Sequence, residues 1–241
     1  MRGARTLLLV VLLGGGVAGG WASIAVVERV QRDAAALLKV PRLPGIDTLR
    51  SAPPGIAAFA LANDARLVAL VRRQVPDWIA LVKPAGAGKF ANRVGLLLAG
   101  GGLLHGDRRA VVGGLALLEG NLMVGLAVDG AKEAFGRVRP NHPGPGRWFA
   151  AGDSFPSSHA AHAFLLATVL GATFDDPGSQ RALWGLASGV ALQRLKEGVH
   201  FPTDVLAGGA LGWWIGRGLA TGRGLAAPGR PVGGAGTSPT Q

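Results

Sequence analysis

The chain has no cysteine and no tyrosine among its 241 residues. Without cysteine there is no disulfide, no thiolate nucleophile and no cysteine-based metal site. Without tyrosine, and with aromatic residues at 6%, few platforms exist on which bases could stack. Charged residues are scarce, 16% against 49% hydrophobic, and mean hydropathy is +0.33. That balance points to a membrane-associated chain rather than a freely soluble one. Acidic residues are the scarcer sign, 14 against 25 basic, which leaves a formal net charge of +11. Such a surplus suits anionic lipid or phosphorylated substrates. Nucleic acid is set aside as a partner, because no lysine-rich tract and no nucleic-acid-binding motif accompanies the charge. Strand patterns are nearly absent. The expected fold class is all-α, a helical bundle with about six transmembrane helices.

Glycine, by contrast, is abundant: 40 residues, many inside apolar runs such as Leu96–Leu104 and Val205–Trp214. In water a glycine within a helix costs about 1 kcal/mol relative to alanine. In a bilayer, small residues let helix backbones approach closely, and the runs are read that way, with loops as the alternative. Residues 1–27 read as an N-terminal transmembrane anchor or a signal segment: Arg2 and Arg5 precede an uncharged stretch, Thr6–Val27, long enough to span. Residues 28–89 read as an exported connector with one short helix and then an amphipathic helix over 56–75. On that helix Leu61, Leu67, Leu70 and Val71 fall near one face, and Asp64, Arg66, Arg72 and Arg73 stand elsewhere. A helical core over 90–220 follows, with apolar blocks near Val94–Leu104, Ala110–Val128, Ala160–Thr173, Ala182–Leu192 and Val205–Ala220. Several blocks need their flanks to reach the ~20 residues of a full span, so buried helices of a soluble bundle stay open as a reading. Residues 221–241, rich in Gly, Pro, Ser and Thr, read as a disordered tail.

Three short blocks carry the chemistry: Lys132–Pro140 (KEAFGRVRP), Pro156–His159 (PSSH) and Gln193–Asp204 (QRLKEGVHFPTD). Together they supply the cations Lys132, Arg139 and Arg194, the histidines His159 and His200, and the carboxylate Asp204. A transferring phosphoryl group needs cations on its equatorial oxygens, a nucleophile on one side and an acid on the leaving oxygen. Each block also has a structural reading. Lys132 and Arg139, seven residues apart on a continuous helix ended by Pro140, would complement a helix carboxyl end. Ser157 and Ser158 would cap the helix beginning at Ala160. Thr203 or Asp204 would open the helix at Val205.

The three blocks, in this order and spacing, resemble the signature of the type 2 phosphatidic acid phosphatase family. That superfamily also holds bacterial acid phosphatases and vanadium haloperoxidases. Ser158 stands where the family usually has glycine, and Gln193 where it usually has serine. The resemblance covers roughly residues 60–220. It implies a phosphatase with His200 as nucleophile and His159 as general acid. Asp204 would orient His200, and Lys132, Arg139, Ser157, Ser158 and Arg194 would hold phosphate. No cofactor and no metal are expected. The implied substrate is a lipid phosphate or polyprenyl diphosphate in the inner (plasma) membrane, with a multi-pass chain and the site facing the periplasm or exterior. A soluble periplasmic acid phosphatase and a non-catalytic membrane protein or transporter are the competing readings.

Overall fold

The computed structural model describes residues 54–225. Six α-helices account for most of them: α1 (Pro54–Gln74), α2 (Gly88–His105), α3 (Arg108–Phe135), α4 (Ser158–Phe174), α5 (Pro177–Lys196) and α6 (Pro202–Gly222). A 3₁₀ helix, Asp77–Gly86, links α1 to α2. No strand occurs among the described residues, so the all-α expectation holds there.

Local chemistry places the helix ends. Asp107 and Asp176 cap α3 and α5 by accepting from the N–H groups of Ala110 and Ser179 at 3.1 and 2.6 Å. Gly136 stops α3 with φ +48°, a conformation that glycine adopts without strain. Pro202 opens α6, where a missing N–H is harmless.

Helix α4 is the centre of the bundle. It is apolar on all sides and buried over nearly its whole length. It packs against α3, α5 and α6. The α6 contact is the closest, and glycine permits it. A Cβ at Gly208 or Gly212 would collide with the carbonyls of Ser157 and Ala161. These glycines repeat every four residues, so one face of α6 lies directly on α4. The consequence reaches the chemistry: α6 starts at His200–Asp204, α4 starts at Ser157–His159, and close packing brings both starts together. Ser157 N donates to the Asp204 carbonyl at 3.0 Å.

Three expectations change. Helix α1 turns Asp64, Val68 and Val71 inward, with Asp64 only 3% exposed. Leu70 is 54% exposed. The charge-sorted faces of that helix are therefore wrong at Asp64, whose pairing with Arg137 lets it be buried; the Leu61 side chain lies outside the described residues. Lys132 and Arg139 do not share one helix: α3 ends at Phe135, and Arg139 follows in an irregular connection. Helix α6 runs to Gly222, and Leu225 is buried beside Ala172 and Ala220, so the segment read as tail begins as ordered core. The anchor over 1–27, the connector helix before residue 54 and the tail beyond 225 lie outside the described residues. Among those described, α3 is the one helix long and apolar enough to cross a membrane, and α4 is apolar but shorter.

Candidate active site

His200 sits in the short turn between α5 and α6 and is 2% exposed. Its Nδ1 lies 2.8 Å from the Ser154 carbonyl oxygen. A carbonyl only accepts, so Nδ1 carries the proton and Nε2 keeps its lone pair. Asp204 is the next group behind the ring, with Oδ2 at 3.7 Å from Nδ1. The direct partner of His200 is thus a main-chain carbonyl, and Asp204 acts from just beyond it. Burial pushes the His200 imidazole below its ordinary 6.5; Asp204 pulls it partly back, and Arg194 and Arg139 push it down again.

Asp204 in turn is fully enclosed. Its Oδ2 accepts from Ser154 Oγ at 2.5 Å and from the Phe201 N–H at 2.8 Å. Its Oδ1 accepts from Arg137 Nη1 at 2.7 Å. Capping α6 and backing His200 are therefore one job. Arg137, 3% exposed, also donates to Thr203 Oγ1 at 2.7 Å and to Asp64 Oδ2 at 2.8 Å. Its guanidinium lies over the rings of Trp148 and Phe201, 4.6 and 4.1 Å from their centroids, a geometry in which aromatic faces attract cations.

The three anticipated cations lie further out. Arg139 makes a two-pronged pair with Asp153, at 2.6 and 2.7 Å. Burial raises the Asp153 carboxyl, but Arg139, bonded and charged, outweighs it and holds the group below its usual 3.8. Arg194 Nη1 donates to Glu197 at 2.5 Å, and the other Glu197 oxygen accepts from Lys83 at 2.7 Å. The Nε of Arg194 is buried with no acceptor among the described residues. Lys132 lines a cavity of about 580 Å³ together with Gly136, Phe149, Gly152 and Asp153.

His159 is half-buried in the first turn of α4, within electrostatic reach of Arg194, His200 and Lys83. The backbone of Gly86 packs against it. Ser157 is fully buried; its hydroxyl accepts from Ala160 N, so it is the α4 cap beneath the site. The first main-chain helix bond runs from Ala161 N to Ser157 O. The N–H groups of Ser158 and His159 precede that ladder, at the end of a helix where anions are favoured. His162 Nδ1 donates to the Ser158 carbonyl at 2.8 Å, and the Ser158 hydroxyl lies 3.3 Å from the same nitrogen. Gln193, the residue before Arg194, is 1% exposed.

All three blocks thus converge on one end of the bundle. Sequence reasoning missed four members: Arg137, Ser154, Asp64 and Lys83. The signal for Arg137 lay inside the first block, where a second arginine stands two residues before Arg139. Ser154 and Lys83 carried no signal of their own. Among the described residues, no group of three or more His, Asp or Glu side chains has the arrangement of a metal site.

Comparison with known proteins adds the following. Residues 113–224 match the family model described as PAP2 superfamily. A lipid A 1-phosphatase of Porphyromonas gingivalis is 32% identical over 105 residues, covering 40% of this chain and 22% of that protein. A decaprenylphosphoryl-5-phosphoribose phosphatase of Mycolicibacterium smegmatis is 32% identical over 138 residues, covering 54% of this chain and 62% of that protein. The chain therefore spans less than two thirds of the length of these relatives. The crystal structure of a transmembrane PAP2-type phosphatidylglycerolphosphate phosphatase from Bacillus subtilis shares the fold. Its TM-score is 0.53 at 22% identity, over 81% of this chain and 94% of that one.

Proposed function

We propose that this chain, whose residues 113–224 match the PAP2 superfamily model, is a membrane phosphatase. It hydrolyses a lipid phosphate or diphosphate through a phosphohistidine on the exported face. One observation carries the reading: the Ser154 carbonyl takes the Nδ1 proton of a buried His200, which leaves Nε2 as a free nucleophile beside Arg194, Arg139 and His159.

The reaction has two in-line steps. Nε2 of His200 forms a bond to phosphorus as the P–O bond to the leaving group breaks, and His159 gives that oxygen a proton. Water then attacks the phosphohistidine, with His159 as base. Arg139, Arg194, Lys132 and the N–H groups at the start of α4 hold the equatorial oxygens. The buried Nε of Arg194 gains an acceptor when phosphate arrives. Asp204 stabilises the charged ring. Fixed cations supply the charge stabilisation, so no metal is required.

The lipid class rests on two supports. Both curated relatives above are named for lipid-linked phosphates. The outer faces of α2 and α3 also expose large leucines, including Leu97 at 76%, Leu104 at 86% and Leu122 at 63%, which suit hydrocarbon and not water. Arg2 and Arg5 before the first apolar stretch favour a cytoplasmic amino end. An odd number of crossings then puts the site outside.

The test is phosphate release by the full chain, purified in detergent, from a panel of lipid phosphates and an aryl phosphate, with and without EDTA. We expect turnover that survives EDTA and is abolished by His200→Ala. Activity restored only by a divalent ion would overturn the mechanism. Burial lowers the His200 pKa from its ordinary 6.5, so we expect the acid limb of kcat/KM to lie below that of an exposed histidine. Reporter fusions after Pro143 and after Asp107 test sidedness, the first expected exported and the second cytoplasmic.

A further inference from the structure

We propose that Asp64, on a helix outside the family-matched segment, is a positioning residue of this active site: through Arg137 it sets the charge that Asp204 presents to His200. The proposal rests on the phosphatase reading above.

Asp64 has no reason to be buried on its own account. It stands in α1 among Arg66, Arg72 and Arg73, and an unpaired carboxylate in the interior is strongly unfavourable. Yet it is 3% exposed, and both of its oxygens are engaged. Oδ2 accepts from Arg137 Nη2 at 2.8 Å and from Thr203 Oγ1 at 2.5 Å; Oδ1 accepts from the Thr203 N–H at 3.1 Å. It therefore reaches the first turn of α6, one residue from Asp204.

The decisive feature is that one guanidinium serves two carboxylates. Arg137 gives Nη1 to Asp204 and Nη2 to Asp64. The formal sum of the trio is one negative charge. With Asp64 neutral, the sum falls to zero: Arg137 then offsets Asp204 completely, and the ring 3.7 Å from Asp204 loses its net counter-charge. Transfer of a phosphoryl group to Nε2, with Nδ1 still protonated, makes the ring cationic, so the step depends on that counter-charge. Other charged or titratable groups facing His200 are Arg194 from α5, His159 from α4 and Arg139 from the connection after α3. None of these touches Asp64.

A charge device and a mere strut differ in sign. The experiment is kcat and kcat/KM against pH for an aryl phosphate, with the full chain in detergent, for wild type, Asp64→Asn, Arg137→Gln and the double variant. Asp64→Asn should lower kcat roughly tenfold and move the acid limb down by about one unit, a tenfold change in proton affinity. Arg137→Gln should move the limb up. The double variant, which restores one negative charge, should return the limb to near the wild-type position. Single variants that shift the limb in the same direction, or losses that track the unfolding midpoint with the limb unmoved, would overturn the proposal. If Asp64→Asn does not accumulate, Arg137→Gln decides alone: an upward shift supports, and no shift or a downward one refutes. An inactive wild type, or activity surviving in His200→Ala, would refute the phosphatase reading instead, and is separately visible.

Discussion

Two sets of cation–carboxylate pairs lie within one end of this bundle, and they differ in burial. The inner set, Asp64–Arg137–Asp204, has side chains no more than 4% exposed, and Ser154 at 0% and His200 at 2% complete it. The outer pairs are open: Arg139 and Asp153 are 23% and 58% exposed at the side chain, Lys83 and Glu197 47% and 30%. Removing one partner of a buried pair costs about 3–5 kcal/mol, whereas exposed pairs contribute about 0–1. The inner set is therefore costly to break. On the proposed function, the outer set can exchange a carboxylate for a phosphate at little cost.

The comparison breaks or sharpens in three experiments. The largest effect belongs to Arg137→Met, which strands two buried carboxylates. Chemical denaturation in detergent should show a loss of about 3–5 kcal/mol; a loss under about 1 kcal/mol would erase the distinction between the sets. Next comes Arg139→Ala, where the unfolding midpoint should hold while kcat/KM falls about 10²–10³-fold, the scale of losing one charge-stabilising donor. A fall in stability with turnover intact would make Arg139 a structural residue. The smallest effect is Asp153→Asn. Stability should change by less than about 1 kcal/mol, and orthovanadate should inhibit up to about fivefold more tightly, since an internal competitor has gone. Weaker inhibition would mean that Asp153 positions Arg139 and does not compete with the substrate.

Much of this was legible in the chain because the relevant signals are local. The helices from α2 to α6 follow the apolar blocks, extended by flanks that carry caps such as Asp107 and Asp176. The glycines of Val205–Trp214 pack helix on helix as small residues do. His159, His200, Asp204, Arg139 and Arg194 converge as their spacing in three blocks suggested. What escaped is non-local. Asp64 looked like a solvated charge because helix faces were sorted by polarity, and its partner Arg137 lies 73 positions away. Ser154 contributes through its backbone as much as its hydroxyl, and a main-chain contact leaves no trace in residue type. Of the two readings of Ser157, helix cap and phosphate ligand, the buried hydroxyl makes the cap.

Ser154 spends every polar group it has. Its N–H goes to the Arg137 carbonyl at 2.9 Å, its hydroxyl to Asp204 and its carbonyl to His200. The group that selects the histidine tautomer is therefore one that all twenty amino acids share. No substitution at position 154 deletes it, and no pH ionises it. The protonation pattern of His200 is insulated from point mutation in a way that an aspartate partner, lost with one base change, could not provide. Ser154→Ala would take away the Asp204 hydrogen bond and leave the His200 acceptor in place.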